Sequence, residues 1–311
     1  MPSMRYDTST LGGHFAPDEV QRDFVMANRG VARFRQVAEL INKQAASGGK
    51  TVINKLSDID TSGGVVAETS TIPVRAATVS QIELVLKEYG VGLSASNFLN
   101  QVSQTPIPDA VGTVLGRDAV EVLEEAAAEA LDGCLTRYVG TSASGAAITT
   151  NGTATATNTS VLNAYHVGAI VDYMKGELKI PFFDGVNYLS ICTVKAGRNI
   201  KNDPSFEAWK MYGDPSALLD GEVGRLDGVR FAEDTLTAGA ADPFRKDIGA
   251  GDVSGHAFFL GAEALYELLL ELEHVRSDFS DDFGRTLKWA WYAITGFGIV
   301  IENAVKWDSN D

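Results

Sequence analysis

Apolar side chains that recur at every third or fourth position predict helices in three parts of this sequence. The strongest pattern covers residues 117–139, where one side is apolar and the other carries Asp and Glu. At roughly 1.5 Å per residue, such a helix would extend about 35 Å. The same spacing predicts helices over residues 17–44, with Asp18 as the N-terminal cap, and over residues 160–175.

Alternation of side-chain character predicts a long hairpin over about residues 50–95. Residues 51–56 are rich in β-forming side chains, and residues 78–89 alternate between a more apolar and a more polar face. A turn-rich stretch at residues 58–64 separates the two segments. Because a pair of strands is marginally stable alone in water, we expect this hairpin to rest on its own chain or on a neighbour.

The remaining pattern mixes strands and helices without a strict repeat. A Ser/Thr/Gly-rich stretch at residues 141–158 is predicted to be a loop, and residues 261–274 are predicted to form a helix. Strands are predicted at residues 187–194, as a pair around a turn at 221–234, at 256–260 and across much of 286–307. Helices and strands without βαβ alternation favour an α+β fold class.

The composition is that of a folded protein, and its most informative feature is the net charge. The 311 residues are 45% hydrophobic and 22% charged, which excludes a disordered tail, a collagen and a coiled-coil rod. The length suits one large or two small domains. The 26 Lys and Arg against 41 Asp and Glu give a net charge of −15, and the acidic excess lies outside the first 48 residues. This balance argues against a general nucleic-acid binder, because phosphate binding depends on Lys and Arg.

Compartment signals favour a protein that folds in a reducing cytoplasm. The two cysteines, Cys134 and Cys192, have apolar neighbours and are expected to be small buried side chains rather than a disulfide or a catalytic thiol. The first residues lack the apolar stretch of a secretory signal, and no run of 18 uncharged apolar residues occurs. We therefore expect no membrane association.

Two glycine-containing segments approach catalytic motifs without matching them. Residues 249–255 have one residue too many for a dinucleotide-binding loop and precede a strand instead of following one. Residues 140–144 lack the final glycine of a nucleophile elbow. Both segments are predicted to be turns or loops.

Candidate metal ligands are equally sparse. The acidic residues at 278–282 could hold a hard cation, but EF-hand spacing is absent and a solvated loop is the simpler interpretation. No transition-metal spacing relates the four histidines, which are His14, His166, His256 and His274. The sequence thus predicts no cofactor and no metal. An enzyme with an unrecognised carboxylate-based site stays open as the less favoured alternative.

Basic residues near the N-terminus and in the hairpin are candidate assembly contacts. They could pair with the acidic body of a neighbouring copy or touch nucleic acid, or they could simply be solvated. The candidates are Arg22, Arg29, Arg33, Arg35, Lys50 and Lys55. Structural turn glycines are predicted at Gly221, Gly224 and Gly228.

Three segments in this order resemble a tailed-phage major capsid protein of the Hong Kong 97-like fold. The sequence Gly221-Glu-Val-Gly-Arg-Leu-Asp-Gly-Val-Arg-Phe resembles the Gly-x-Ile-Gly-x-Ile-x-Gly-Val-x-Phe stretch of that family. Residues 188–206 resemble its strand, helix and Asp-x-x-Phe passage, and residues 257–265 resemble its late strand into a helix. The similarity is greatest to the family in short-tailed phages related to coliphage N-four.

The resemblance implies a domain organisation that covers most of the chain. An N-terminal arm precedes an extended β-hairpin, and a peripheral domain with a long spine helix accompanies an axial domain. The implied bounds are 1–48 for the arm, 49–96 for the hairpin, 97–158 and 276–311 for the peripheral domain with its spine helix at 117–139, and 159–275 for the axial domain.

The resemblance also implies a structural role without catalysis. Such proteins assemble as hexamers and pentamers into an icosahedral shell that encloses double-stranded DNA without reading its sequence. Scaffolding, portal and possible decoration proteins would be partners, with assembly in the host cytoplasm and a final place in the virion capsid. An encapsulin-type nanocompartment shell, which shares the fold and differs in cargo, is the main alternative.

Overall fold

The structure is a computed structural model, and it describes residues 33–44, 48–56, 65–66, 68, 71–72, 77–102, 107–204, 222–234, 255–281 and 285–307. The helices are α1 (Phe34–Val37), α2 (Asn97–Val102), α3 (Ile107–Asp132), α4 (Ala164–Gly176) and α5 (Val194–Lys201). The strands are β1 (Glu39–Asn42), β2 (Lys50–Leu56), β3 (Val79–Val85), β4 (Lys87–Ser96), β5 (Thr136–Ser142), β6 (Gly145–Thr149), β7 (Tyr188–Thr193), β8 (Glu222–Leu226), β9 (Val229–Asp234), β10 (Ala257–Leu260), β11 (Tyr266–Asp281), β12 (Thr286–Gly298) and β13 (Ala304–Trp307). This mixture confirms the α+β class.

A seven-stranded sheet in the order β6–β5–β13–β10–β7–β9–β8 supports the largest core. Helix α4 packs on one face through Val167, Ile170 and Met174, which are fully buried. Phe231 of β9 and Trp307 of β13 meet these side chains from the sheet. The apolar stripe of the helix thus has an apolar sheet face as its partner.

The opposite face of this sheet is covered by the C-terminal half of α3 and by α1. Ala127 and Leu131 of α3 and Phe34 of α1 are buried with Phe258 and Leu260 of β10. The rings of Phe34 and Phe258 meet edge to face, with centroids 6.0 Å apart. The segment that contains α1 is therefore part of this core.

A four-stranded sheet in the order β1–β11–β12–β4 packs against the N-terminal half of α3. Leu115 and Ala119 of α3 are buried with Trp289 and Trp291 of β12. The indole N–H of Trp291 donates to the Asp118 carboxylate at 2.6 Å. Helix α3 consequently contacts two different cores, one with each half.

Strands β2 and β3 form a separate two-stranded antiparallel ribbon. Leu86 follows the ribbon, and its N–H donates to the carbonyl of Gly49 at 2.9 Å, which closes the base. Strand β4 then leaves the ribbon and pairs with β12. Of the hairpin predicted over residues 50–95, only the part up to Val85 is therefore a free-standing pair of strands.

The long acidic helix exists, but its bounds differ from residues 117–139. It begins at Ile107, because Pro108 in the first turn needs no backbone donor there. It ends at Asp132, and Gly133 follows. Residues from Thr136 onward leave the helix because they pair with β13 and β6 as strand β5.

The helix predicted over residues 261–274 is wrong, since most of that segment belongs to β11. The leucine run at 268–270 fits a helical and an extended pattern equally well. In the fold its backbone pairs with β1 on one side and with β12 on the other. These long-range pairs decide the outcome, as tertiary context commonly does for strands.

Two further expectations change at the start of the chain and in the Ser/Thr-rich stretch. The loop predicted over residues 141–158 is wrong in its first part, where β5 and β6 form a hairpin. Most of the helix predicted over residues 17–44 lies outside the described residues. Its described end is the short α1, followed by β1, which pairs in parallel with β11.

Other predicted elements are confirmed. The helix predicted over residues 160–175 corresponds to α4, and the strand predictions correspond to β7, the β8–β9 pair, β10, β12 and β13. The seven-stranded sheet draws strands from both the segments expected to be peripheral and the segment expected to be axial. The domain bounds 97–158, 159–275 and 276–311 stay predictions.

Candidate assembly surfaces

One face of the ribbon carries exposed apolar side chains. We call this set the apolar ribbon face. The pairing register places Leu56 directly opposite Val79. On the same face the Lys50 ammonium and the Glu83 carboxylate form an ion pair at 2.7 Å. The members of the apolar ribbon face are Val52, Leu56, Val79 and Val85, with exposed fractions between 42% and 66%.

The other face of the ribbon is anchored near its base. Leu84 is buried together with Leu268 of β11 and Val300. Ile53 and Ile82 pack partly buried against this small cluster. The ribbon is thus attached to the body through one face at one end, and its apolar ribbon face remains open to solvent in the single chain.

Exposed apolar side chains continue into the segment between β2 and β3. Val65 and Ile72, two of the described residues there, are fully or largely exposed. Exposed apolar side chains gathered on one element make that element a candidate contact surface.

The start of the described chain is held by a buried carboxylate. Glu124 of α3 is only 2% exposed. One of its oxygens accepts the backbone N–H groups of Arg33 and Phe34, both at 2.6 Å, and the other accepts that of Arg35 at 3.4 Å. Burial raises the pKa of Glu124 to about 7, although these N–H donors oppose the shift. We call Glu124 and residues 33–35 the arm anchor.

The side chain of Arg35 makes a second link between this segment and the body. Its Nε donates to both oxygens of Glu267 at 2.9 and 3.0 Å, and Nη1 donates to Glu273 at 3.0 Å. Glu267 also accepts the hydroxyl of Thr295 at 3.2 Å. Both glutamates belong to β11, so Arg35 ties α1 to the four-stranded sheet.

The basic residues singled out in the sequence fall into separate places. Arg22 and Arg29 lie outside the described residues. Arg33 and Arg35 belong to the arm anchor, where Arg35 is engaged by carboxylates of its own chain. On the ribbon, Lys50 pairs with Glu83, and Lys55 is partly buried in β2. Arg33 and Arg35 share one segment, whereas Lys50 and Lys55 lie on opposite faces of β2, and the role of all four between copies stays a prediction.

Two of the three predicted turn glycines, Gly224 and Gly228, lie in one hairpin. Gly221 lies outside the described residues. Gly224, with φ +150°, lies where the pairing of β8 with β9 shifts register. Asp227 and Gly228 form the two-residue turn with φ +51° and +78°, the left-handed pair that tight hairpins require.

His166 has hydroxyl neighbours, as a catalytic histidine would, but it is part of the core. His166 is fully buried, with Nδ1 3.1 Å from the Tyr138 hydroxyl and Nε2 3.2 Å from the Ser160 hydroxyl. Burial lowers the pKa of His166. Burial likewise raises the pKa of the Cys134 thiol to about 12, and Cys192 is buried as well, so neither thiol is poised as a nucleophile.

Two cavities in the described part bear on the alternative of a carboxylate-based site. A cavity of about 240 Å³ between α1 and the sheet is lined by Arg33, Arg230 and apolar side chains. Another of about 560 Å³ lies over β4 and β12 beside Arg276 and Lys288. Neither is lined by a carboxylate. Among the described residues, no group of His, Cys, Asp and Glu has the arrangement of a metal site, and no helix is long and apolar enough to cross a membrane.

Sequence reasoning missed the arm anchor. Glu124 is one of several acids on α3, and the sequence pattern assigns all of them to the polar side of the helix, as a solvated face or a polar contact surface. Glu267 lies in a segment mistaken for a helix. The only available signal was an acid inside an apolar run, which indicates burial with a partner but does not name the partner.

Comparison with known proteins gives matches at the level of structure. No family model matches the sequence, and none of the curated proteins matches it. The capsid structure of the cyanophage P-SCSP1u is 11% identical with a TM-score of 0.63, covering 89% of this chain and 88% of that chain. The capsid of Ralstonia phage GP4 is 13% identical with a TM-score of 0.61, covering 91% and 92%. The capsid asymmetric unit of cyanophage Pam1 is 15% identical with a TM-score of 0.60, covering 86% and 88%.

These likenesses extend across both chains rather than over one shared motif. Each match covers 86% or more of this chain and 88% or more of the other chain. At sequence identities of 11% to 15%, such matches establish the fold of the chain. The chain therefore has the Hong Kong 97-like fold of phage major capsid proteins.

Proposed function

We propose that this chain is a major capsid protein that assembles as hexamers and pentamers into an icosahedral shell around double-stranded DNA. The observation that carries the proposal is the shared fold over about nine-tenths of the chain with capsid structures from several phages. Nearly complete coverage in both directions supports a whole shell subunit.

The ribbon supplies the physical reason for assembly. A two-stranded ribbon with exposed apolar side chains on one face is only marginally stable in water when no other surface covers that face. In a closed symmetric shell each copy can cover the patch of its neighbour. The ribbon's attachment at one end leaves its apolar ribbon face available for this contact.

The charge supports a container for DNA rather than a DNA-reading protein. With a net charge of −15, the subunit offers few cations to displace counterions from phosphate. An acidic lining can surround packaged DNA without gripping it. The proposed role is structural.

The same proposal includes partners and place. Scaffolding, portal and decoration proteins would guide and complete assembly in the host cytoplasm, and the mature location would be the virion capsid. The cargo separates this role from that of an encapsulin-type shell: particles from infected cells should contain double-stranded DNA rather than a protein cargo.

The test is the assembly state of the purified chain. We expect pentamers, hexamers or megadalton shells in light scattering and negative-stain microscopy, with a scaffolding partner added where the chain alone stops at capsomers. A strictly monomeric chain at high concentration, with and without that partner, would contradict the proposal.

A further inference from the structure

Three arginines from two distant parts of the sequence gather beside the cavity between α1 and the seven-stranded sheet. Arg33 and Arg230 line this cavity of about 240 Å³. Arg225 of β8 lies directly opposite Arg230 of β9 in the pairing register, so the two side chains leave the sheet on the same face. We call Arg33, Arg225 and Arg230 the arginine cluster.

The charges around the arginine cluster favour an anionic ligand. Like charges that face each other across two strands repel, as Arg225 and Arg230 do here. The Asp184 carboxylate lies 3.4 Å from Arg230, but it also accepts backbone N–H groups of its own loop. Asp234 shares this face of β9, yet it is 3% exposed and lies about 13 Å further along the strand. A ligand with several negative charges would relieve the repulsion within the cluster.

The rest of the cavity lining is largely apolar, which narrows the class of ligand. Leu189 and Ile191 of β7 lie beside Val37 of α1 and Phe183. A phosphate group, free or in DNA, would leave these side chains uncovered. A peptide that carries both carboxylates and an aromatic ring would satisfy the arginines and cover the apolar part together.

The chain itself contains such a segment. Residues 278–283 read Asp-Phe-Ser-Asp-Asp-Phe, and they lie at the end of the β11–β12 hairpin, where Asp281 pairs with Thr286. In its own subunit this end is far from the arginine cluster. Strand β11 begins at Tyr266, which pairs with Glu39 just after α1, and its 16 residues extend about 50 Å away from there. We call residues 278–283 the acidic tip, and it can reach only the cluster of another copy.

We propose that the acidic tip of one copy docks at the arginine cluster of a second copy, with carboxylates on the arginines and an aromatic ring over the apolar lining of the cavity. The inference rests on the proposed function and deepens it, because it names one contact through which shell subunits meet. The two surfaces are different, so the contact is heterologous. Heterologous contacts close identical copies into rings, as capsomers require.

Peptide binding tests the docking without any need for shells. The probe is a labelled peptide of residues 277–284 with blocked ends, titrated with full-length chain kept dilute and unassembled, and fluorescence anisotropy reports binding. We expect the affinity to fall on the order of tenfold or more when the three Asp residues of the peptide become Asn, and likewise with Arg225→Glu chain. Absence of binding, equal affinity of the Asn peptide, or duplex DNA binding at the cluster in place of the peptide would overturn the proposal.

A charge swap tests the same contact during assembly. Arg225 is exposed, so Arg225→Glu should fold normally and lower the yield of assembled particles at least tenfold, measured by sedimentation. Adding Asp281→Lys to the same chain should restore assembly. Arg198→Glu, which reverses an exposed arginine on α5, is the control and should assemble normally.

The outcomes separate this contact from the shell function. Normal assembly of Arg225→Glu, or a loss that Asp281→Lys does not repair, would contradict the docking and leave the shell function standing. An unaltered chain that never assembles would contradict the shell function, and peptide binding would then decide on the docking. If Arg225→Glu does not fold, the comparison of the Asp and Asn peptides on the unaltered chain decides alone.

Discussion

The ion pair between Arg35 and Glu267 is almost shielded from water, with side chains 13% and 4% exposed and a distance of 2.8 Å. Removing one partner of a buried pair leaves an uncompensated charge, whereas a surface pair contributes little. Arg35→Ala is therefore expected to lower the free energy of unfolding by about 3 kcal/mol, measured by urea denaturation of unassembled chain.

A matched control exists on the surface of β11. Arg276 pairs with Glu271 at 2.8 Å, but its side chain is 60% exposed. Arg276→Ala is expected to cost about 1 kcal/mol or less, because solvent screens the pair. Equal losses in the two variants would show that Arg35 is an ordinary surface arginine rather than a link between α1 and the four-stranded sheet.

The buried His166 predicts that the stability of the folded chain depends on pH. Burial lowers the pKa of His166 in the folded protein below the ordinary value of about 6.5. At pH values between the two pKa values, the unfolded chain therefore binds a proton that the folded chain does not bind. Its contribution to stability is complete above that ordinary value and is lost as the pH falls below it.

The variant His166→Phe should remove this contribution. Compared with the unaltered protein, its unfolding free energy should decline less between about pH 6.5 and pH 5, by up to about 1.4 kcal/mol per pH unit. His274→Phe is the control, since His274 is partly exposed on β11. An unchanged slope in His166→Phe, or an equal change in the control, would contradict the assignment.

At the scale of elements, the ribbon is a part of the single chain whose apolar side chains stay exposed on one face. Leu56 and Val79 oppose each other on the apolar ribbon face. The double variant Leu56→Ser, Val79→Thr removes apolar surface that the subunit does not bury. Threonine at position 79 keeps a β-forming residue in the strand. We expect the subunit's unfolding free energy to change by about 0.5 kcal/mol or less, since exposed substitutions act weakly, and shell formation to fall at least tenfold.

The control for the ribbon variant is another exposed valine. Val186 precedes β7 and is 69% exposed. Val186→Ser should leave assembly unchanged in sedimentation assays at matched concentration. Excising the ribbon and joining the chain near Gly49 and Leu86, whose backbones meet at 2.9 Å, should likewise give a folded body that does not assemble. Normal shells from the excised chain would show that the ribbon has no role between copies.

Elements with local signals could be predicted from the sequence, and those fixed by distant partners could not. Helix α4 and the turn at Asp227 and Gly228 follow from periodicity and from turn chemistry over a few residues. Strand β11 needed its neighbours β1 and β12, which lie elsewhere in the sequence. The arm anchor needed Glu124 and residues 33–35 to meet, and no local pattern encodes that meeting.

At the scale of the whole molecule, the features that bear on assembly are the two joined cores, the ribbon and the net charge. The helix α3 joins two cores into a body, and the ribbon offers an apolar surface that neighbours can cover. The net charge of −15 gives the subunit few cations for phosphate, as the proposed shell around DNA requires. The fold shared with phage capsid structures connects these features.

Electron cryomicroscopy of particles assembled from this chain tests the central claim most directly. The account predicts an icosahedral shell with hexamers and pentamers of this subunit, in which the apolar ribbon face of one copy is buried against a neighbour. A reconstruction without five-fold and six-fold capsomers, or one in which the apolar ribbon face stays open to solvent, would contradict it.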